Sequence, residues 1–191
     1  MLFGRGHRAD PQRRANRCWW VGAMIALLMA LAPMTLAPQQ AFAAEGVQTG
    51  SATGLRLPRY ASLRFDKTNV REGPTKNHRT AWIFQKAGLP VEIIGEFDTW
   101  RRIRDSEGSE GWVLASLLSG RRTALVAPWR KADVLPIYPK PGAPDVVAKL
   151  QSGVLANIKL CQTGWCRVFG EGFEGFIPQG DLWGVYPDEA L

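Results

Sequence analysis

The stretch NVREGPT, Asn69 to Thr75, carries the strongest local signal in this chain of 191 residues. An Arg between Asn and Glu, followed by Gly-Pro, fits either an anion-binding loop or a strand that runs into a turn. An anion loop needs a helix N-terminus or further donors, and the neighbouring sequence supplies neither. We therefore interpret Val70 as an inward-facing strand residue and Gly73-Pro74 as a turn. Arg71 is expected to pair with Glu72 or Glu110, with a ligand contact as the alternative.

Unusual residues recur at a nearly fixed offset in the second half of the chain, which is the signature of a repeated structural unit. The offset is 65 residues for most of them and 64 after one loop deletion. The matched pairs are Pro74 and Pro139, Gly88 and Gly153, Trp100 and Trp165, Gly111 and Gly175, and Trp112 and Phe176. In this frame Asn69-Val70-Arg71 is matched by Val134-Leu135-Pro136, so Arg71 would act in one unit only. The sequence thus predicts a tandem of two similar units.

Each unit contains five short segments rich in apolar and β-branched residues, separated by turn residues such as the DKTN of 66–69. The predicted strands are 61–65, 81–87, 90–97, 100–104 and 111–114, then 124–128, 146–150, 155–160, 165–169 and 175–178. No sustained helical period follows residue 44, so only single 3₁₀ turns are expected, for instance near 116–118. Five short strands in about 60 residues favour a small bent barrel, and units this small are expected to pack together.

The order and spacing of these elements resemble the bacterial SH3 domain. The matching features are Asn-Val-Arg-x-Gly-Pro, a Gly before a Val-x-Ile strand, a Trp opening the next strand, and a closing Gly-Trp-Val. The resemblance spans about residues 58–187, and the two-module layout is similar to that of exported tandem proteins of this SH3-like family in Gram-negative bacteria. It implies an all-β fold of two tandem small SH3-like β-barrels packed together. Ser106 stands where the family often has an aromatic residue, so no ligand contact is assigned to that loop.

The first 43 residues predict a secretory signal peptide. Five Arg precede the apolar run CWWVGAMIALLMALAPMTLA, and the small-residue site at Ala41-Phe42-Ala43 follows it. We expect cleavage and a periplasmic location, with an uncleaved inner-membrane anchor as the alternative because the run is almost long enough to span a bilayer. The predicted organisation is a signal peptide at 1–43, a flexible leader at 44–57, module 1 at 58–120, module 2 at 121–187 and a tail at 188–191.

Charge and composition argue against several classes of function. The formal net charge is +7, but five of the 24 Lys and Arg lie in the signal peptide beside one acid, so nucleic-acid binding is not expected. Neither a metal site nor a cofactor is expected, because one His and two Cys follow residue 44. The acids Glu96, Asp98, Asp105, Glu107 and Glu110 are interpreted as solvated loop charges among arginines rather than as a catalytic pair. We therefore expect no enzymatic activity.

Cys161 and Cys166 in CQTGWC are predicted to form a disulfide. The intervening Thr-Gly makes a tight turn, which places the two residues across a hairpin within bonding range. Export to an oxidising compartment favours the bond. Glu96 and Arg101 occupy the matching positions 65 residues earlier, and a cross-hairpin ion pair is expected there.

The aromatic residues are the main candidates for ligand binding. Side chains alternate along a strand, so if Ile103 and Val168 face inward, Trp100 and Trp165 face outward or across a bulge. The candidates for a ligand groove are Trp100, Trp82, Trp112, Arg71, Trp165 and Phe173; the alternative is that each Trp covers a loop or the module interface. Trp183 and Tyr186 are expected to seal that interface.

The resemblance and the export signal together imply a non-catalytic module that binds peptide or peptidoglycan components of the cell envelope. The alternative is a structural or accessory protein that docks another envelope protein and takes no small ligand. The expected partner is an envelope protein or a peptidoglycan peptide, with no membrane contact beyond the signal segment.

Overall fold

The computed structural model describes residues 48–191. The predicted signal peptide and the first residues of the leader lie outside the described residues. Fourteen strands and two 3₁₀ turns, at Ala115–Leu117 and Gln179–Asp181, make up the described chain. Within these residues no helix is long and apolar enough to cross a bilayer. The prediction of an all-β fold with isolated 3₁₀ turns is confirmed.

Module 1 contains the first seven strands. They are β1 Arg59–Leu63, β2 Thr68–Arg71, β3 Thr80–Phe84, β4 Pro90–Phe97, β5 Trp100–Arg104, β6 Glu110–Leu114 and β7 Leu118–Ser119. They form one bent sheet in the order β3-β2-β6-β5-β4-β1-β7.

Module 2 repeats this arrangement. Its strands are β8 Thr123–Val126, β9 Val134–Ile137, β10 Ala148–Gln151, β11 Leu155–Gln162, β12 Trp165–Gly170, β13 Phe173–Pro178 and β14 Leu182–Trp183. A bridge between Tyr138 and Phe176 joins the β10-β9 pair to the sheet β13-β12-β11-β8-β14. The order is that of module 1 with each strand number raised by seven. Both modules also shift register at the same point, between Ile93 and Gly95 and between Ile158 and Leu160. The tandem repeat is therefore present in the fold.

Each module has seven strands where the sequence predicted five. The additional strands include the two-residue β7 and β14, which are too short for an alternating pattern to reveal. Strand β2 begins at Thr68, so the predicted turn at 66–69 is wrong in its second half. Strand β9, Val134–Ile137, was not predicted because Pro136 interrupts it. Proline is compatible with this strand because β9 joins β13 through the isolated bridge at Tyr138 and not through a continuous ladder.

The register of the repeat differs from the sequence offset at the start of module 2. Gly111 and Gly175 are matched in the repeat, so the backbone next to each marks an equivalent position. A Cβ added to Gly111 would lie 3.1 Å from the Arg71 carbonyl oxygen, and one added to Gly175 would lie 3.1 Å from the Tyr138 carbonyl oxygen. The strand pairing agrees, since Arg71 is paired with Trp112 and Tyr138 with Phe176. The predicted match of Arg71 with Pro136 is therefore wrong by two residues. A longer loop before β9 absorbs the difference.

Apolar side chains on the concave faces form one core in each module. Val70, Val91, Ile103 and Val113 are fully buried in module 1, as are their counterparts in module 2. Cores of this size give a domain little stability by itself, so contacts between the modules are expected to stabilise both.

Polar and aromatic contacts join the two modules. Ser62 and Thr123 hydroxyls lie 2.6 Å apart, and the Thr123 hydroxyl donates to the Gly88 carbonyl at 2.6 Å. The Tyr60 ring packs edge-on to Trp183, with centroids 5.4 Å apart, and lies 4.7 Å from the Tyr186 ring. The predicted sealing role of Trp183 and Tyr186 is confirmed.

The prediction of a flexible leader is wrong from residue 49 onward. Thr49 bridges Arg56, and the turn between them closes over the Glu96 side chain. The Ala52 and Thr53 amides donate to Glu96 Oε2 at 3.0 and 2.9 Å, and the Thr53 hydroxyl donates to Oε1 at 2.7 Å. A leader rich in Gly, Ser and Thr looks unstructured in sequence, but its backbone donors here satisfy a carboxylate 43 or more residues away.

Candidate binding site on module 1

The convex side of strands β2, β6 and β5 carries a mixed aromatic and basic surface, which we call the Trp100 face. Because side chains alternate, Trp100 and Arg102 point away from the buried Ile103. Trp100 lies opposite Leu114, and Trp112 lies opposite both Arg102 and Arg71. The members of the Trp100 face are Asn69, Arg71, Trp100, Arg102, Trp112 and Leu114.

Trp100 lies at the floor of a small pocket on this face. Its side chain is only 7% exposed, so it does not form the open platform that simple alternation suggests. The pocket has a volume of about 120 Å³ and is lined by Asn69, Arg71, Lys76, Trp100, Leu114 and Leu117. The structure thus brings two of the sequence candidates, Trp100 and Arg71, into one site.

Arg71 is oriented by the loop that follows β2. Its Nη1 donates to the His78 carbonyl at 2.7 Å and contacts the Thr80 hydroxyl at 3.4 Å. The expected ion pair with Glu72 or Glu110 is wrong, because other arginines hold both acids. Within residues 48–191 Arg71 forms no ion pair, and the guanidinium remains a free positive charge at the pocket.

The two acids are neutralised locally. Arg79 hydrogen-bonds Glu72 and thereby lowers the pKa of that carboxyl. Arg104 and Arg102 both pair with Glu110, and the hydrogen bond from Arg104 is the largest cause of its lowered pKa. Neither carboxylate lines the pocket, so the cations Arg71 and Lys76 determine its charge.

Trp82 and Trp112 occupy different sides of the sheet. Trp82 is paired with the inward-facing Val70 and packs against the module 1 core, beside Gly111. Its indole Nε1 is buried and meets no acceptor among the described residues. Trp82 is therefore a core residue, while the partly exposed Trp112 belongs to the Trp100 face but not to the pocket lining.

The equivalent position in module 2 carries an aromatic side chain in place of Arg71. Tyr138, at the structural position of Arg71, packs edge-on against Trp165 with ring centroids 5.7 Å apart and planes at 83°. Arg167 lies over the Phe176 ring at 5.8 Å. Phe173, a predicted groove residue, instead packs against the module 2 core and covers Gly170. The aromatic residue next to Arg167 on the outer face is Phe176.

Sequence reasoning missed Lys76, Leu117, Tyr138 and Phe176. Lys76 and Leu117 lie in a loop and a 3₁₀ turn, where no periodic pattern reveals the direction of a side chain. Tyr138 was hidden by the two-residue error in the repeat register. The repeat matches Phe176 with Trp112, but the sequence alone does not show that its ring lies on the outer face.

The cross-hairpin pairs are as predicted. Cys161 and Cys166 form a disulfide with Cα atoms 4.1 Å apart, and both residues are fully buried. In module 1 the corresponding Arg101 Nε lies 3.4 Å from Glu96 Oε1. Each pair fastens the same hairpin, one by a covalent bond and the other by charge.

Glu96 is not the solvated loop charge that was expected. Its side chain is fully covered. Burial alone would raise its pKa, but hydrogen bonds from Thr53, Arg59 and the Ala52 amide outweigh that effect and lower the pKa to about 2. The carboxylate is therefore a structural anchor for the leader and not a catalytic group.

The fold defines a tandem of SH3-like modules, and module 1 presents the pocket beside Trp100. The model of the family described as bacterial SH3 domain matches residues 66–120 and 127–184. The chain belongs to the bacterial SH3 domain family. A comparison with curated proteins gives no match.

Two solved structures from Trichomonas vaginalis show a distant likeness. One is NlpC2, with 15% identity over 66% of this chain and 48% of that chain and a TM-score of 0.31. The other is NlpC1, with 16% identity over 70% of this chain and 48% of that chain and a TM-score of 0.29. This chain spans about half the length of each, and at these TM-scores the likeness carries no functional argument.

Proposed function

We propose that this protein is a non-catalytic binding protein of the cell envelope, and that the Trp100 face of module 1 holds a peptide component of that envelope, including the peptides of peptidoglycan. The observation that carries the proposal is the pocket beside Trp100, where Arg71 and Lys76 place positive charge next to apolar walls. An indole ring flanked by fixed polar groups is a common arrangement for orienting a peptide ligand.

The disulfide and the family both favour an extracytoplasmic location. Disulfides persist in oxidising compartments and are rare in the cytosol of mesophiles, and Cys161 and Cys166 form one here. The predicted export signal agrees with such a location. A periplasmic protein with a peptide pocket meets peptidoglycan and envelope proteins as its available partners.

The chemistry of the pocket supports binding without catalysis. Its lining side chains are an amide, a guanidinium, an ammonium, an indole and two leucines. None of these is a general base at neutral pH or an ordinary nucleophile. The groups can hold and orient a ligand, and we assign them no further role.

Co-sedimentation with purified sacculi tests the proposal. The exported protein should sediment with sacculi, and Asn69→Tyr should abolish this by placing an aromatic ring at the pocket mouth. Asn69 is exposed on a strand, so a tyrosine there is compatible with folding. Trp100→Ala should also abolish sedimentation, whereas the matched change Trp165→Ala in module 2 should leave it intact.

The outcomes separate the two candidate functions. If the unaltered protein does not sediment, or if Asn69→Tyr and Trp100→Ala both sediment normally while their melting curves show a folded protein, peptide binding at the Trp100 face is refuted. Specific capture of one envelope protein in the absence of sacculus binding would instead favour the accessory role.

A further inference from the structure

We infer that the Trp100 pocket receives the free carboxylate at the end of a peptide whose last residue has a small aliphatic side chain. This inference rests on the proposed function and names the part of the ligand that the pocket takes. Three observations support the inference: the size of the pocket, the charge of its lining and the contrast with module 2.

The size of the pocket restricts it to a small group. Pockets that enclose a whole ligand measure roughly 300–1,000 Å³, whereas this pocket measures about 120 Å³. A carboxylate with a methyl side chain fits such a volume, but a sugar ring or an aromatic side chain with its backbone does not. The remainder of the ligand must lie outside, along the Trp100 face.

The charge of the pocket selects an anion. Arg71 and Lys76 line it, and no acidic residue does. Hydrogen bonds to His78 and Thr80 hold Arg71 Nη1, and its side chain makes no other hydrogen bond within residues 48–191. A guanidinium has five N–H donors, so Arg71 retains donors for a carboxylate. Charge-assisted bonds of this kind are about twice as strong as neutral ones.

The remaining walls select a small apolar side chain. Trp100 forms the floor, and the partly buried Leu114 and Leu117 complete the lining. A methyl or isopropyl group beside the carboxylate would cover these walls and exclude water from the charge pair, which strengthens it. A free phosphate or sulfate would leave the apolar walls wet and gains nothing from them.

The carboxylate of an internal Asp or Glu offers the same charge, but it differs in its connections. A chain terminus enters the pocket from one side only. The carboxylate of an internal Asp or Glu reaches the pocket on methylene groups alone and brings no separate side chain to cover Trp100, Leu114 and Leu117. We therefore assign the terminal carboxylate, and the experiment separates the two sources.

Module 2 provides an internal comparison. The same hairpin and the same Trp are present, but Tyr138 replaces the cation and lies against Trp165. The position that supplies charge in module 1 thus supplies an uncharged ring in contact with Trp165 in module 2. Terminal carboxylates should accordingly bind one module of the two.

NMR titration of the ¹⁵N-labelled exported protein tests the inference. The probes are N-acetyl-Ala-Ala, its C-terminal amide, and N-acetyl-Asp-Ala amide, which carries only a side-chain carboxylate. The free acid should shift the Trp100 indole signal, and both amides should bind at least about tenfold more weakly, equivalent to about 1.4 kcal/mol. Arg71→Gln should remove the preference for the free acid and Arg71→Lys should retain part of it. Arg167→Gln, which removes an outer-face arginine of module 2, should change nothing.

The other possible results of the titration contradict the inference, and each of them points to a different failure. Equal binding of the acid and its amide, or no binding of any probe by a protein that still sediments with sacculi, refutes carboxylate recognition and leaves the proposed function standing. Stronger binding of the Asp probe shows that the source is a side chain. If the probes do not bind and sacculi do not sediment the protein, both proposals fail.

Discussion

Tyr138 and Arg71 occupy the same position in the two modules, directly opposite Phe176 and Trp112 on the neighbouring strand. Tyr138 lies against Trp165, while Arg71 borders a pocket beside Trp100. At this position module 1 therefore has a cation beside a pocket, whereas module 2 has an aromatic ring in contact with its Trp. Under the proposed function, this difference restricts ligand binding to module 1.

Arg71→Tyr should close the pocket by copying the arrangement of module 2. A tyrosine is well tolerated on a strand and should lie against Trp100, so the variant is expected to fold and to lose sacculus binding. Lys149→Tyr is the matched control, because Lys149 is an exposed cation on strand β10 of module 2, away from the Trp100 face. Co-sedimentation with sacculi measures the effect; full binding by Arg71→Tyr would contradict the assignment of the site.

Glu96→Gln should destabilise the protein by about 1–3 kcal/mol, because a buried site built for a carboxylate loses charge-assisted bonds. The pKa of Glu96 is lowered from 4.5 to about 2. A lowered pKa stabilises the folded protein above pH 4.5, and this stabilisation is lost as the pH falls from 4.5 towards 2. Urea unfolding across this pH range should show that the free energy of unfolding falls less in Glu96→Gln than in the unaltered protein. Glu107 is exposed, so Glu107→Gln should behave as the unaltered protein does. If the free energy of unfolding depends on pH equally in both variants, the role of Glu96 is contradicted.

Replacing both Cys161 and Cys166 by Ala should lower the free energy of unfolding by about 2 kcal/mol, the chain-entropy value for so short a loop. Alanine avoids burying an unpaired hydroxyl at two fully covered positions. Because the bond lies in module 2, sacculus binding through module 1 should survive. Chemical denaturation with and without reductant measures the difference. If reductant lowers the free energy of unfolding of the double variant as much as that of the unaltered protein, the stabilising role of the disulfide is refuted.

Tyr186→Phe should weaken the contact between the modules by about 1 kcal/mol, since the Tyr186 hydroxyl donates to Glu92 at 2.8 Å. Burial and this hydrogen bond raise the pKa of Tyr186 well above 10.0. A raised phenol pKa stabilises the fold fully below pH 10.0, and that contribution is lost as the pH rises beyond it. The alkaline loss of stability should therefore be smaller in Tyr186→Phe. Identical alkaline unfolding curves for the two proteins would contradict this account.

Patterns that depend on repetition could be predicted from sequence. The tandem, the cross-hairpin pair of Cys161 and Cys166 and the interface role of Trp183 all follow from spacing, turn chemistry and the cost of leaving large aromatics exposed. The strand order could be inferred only through the family resemblance. Two-residue strands carry too few side chains for any pattern.

The binding site was only partly predictable. Trp100 and Arg71 were identified, but their meeting in one pocket depends on strand pairing, and Lys76 enters from a loop. Trp82 and Phe173 were assigned to a groove because aromatic residues serve cores and surfaces alike, and the sequence alone does not show which way each faces. Glu96 appeared solvated because the leader that covers it lies more than 40 residues away in sequence.

Chemical-shift mapping with soluble peptidoglycan fragments tests the central claim most directly. The account predicts saturable shifts at Asn69, Arg71 and Trp100, with no change at Tyr138 or Trp165. Shifts that cluster around Trp165, or an absence of shifts at Trp100 while the fragments bind elsewhere, would contradict it.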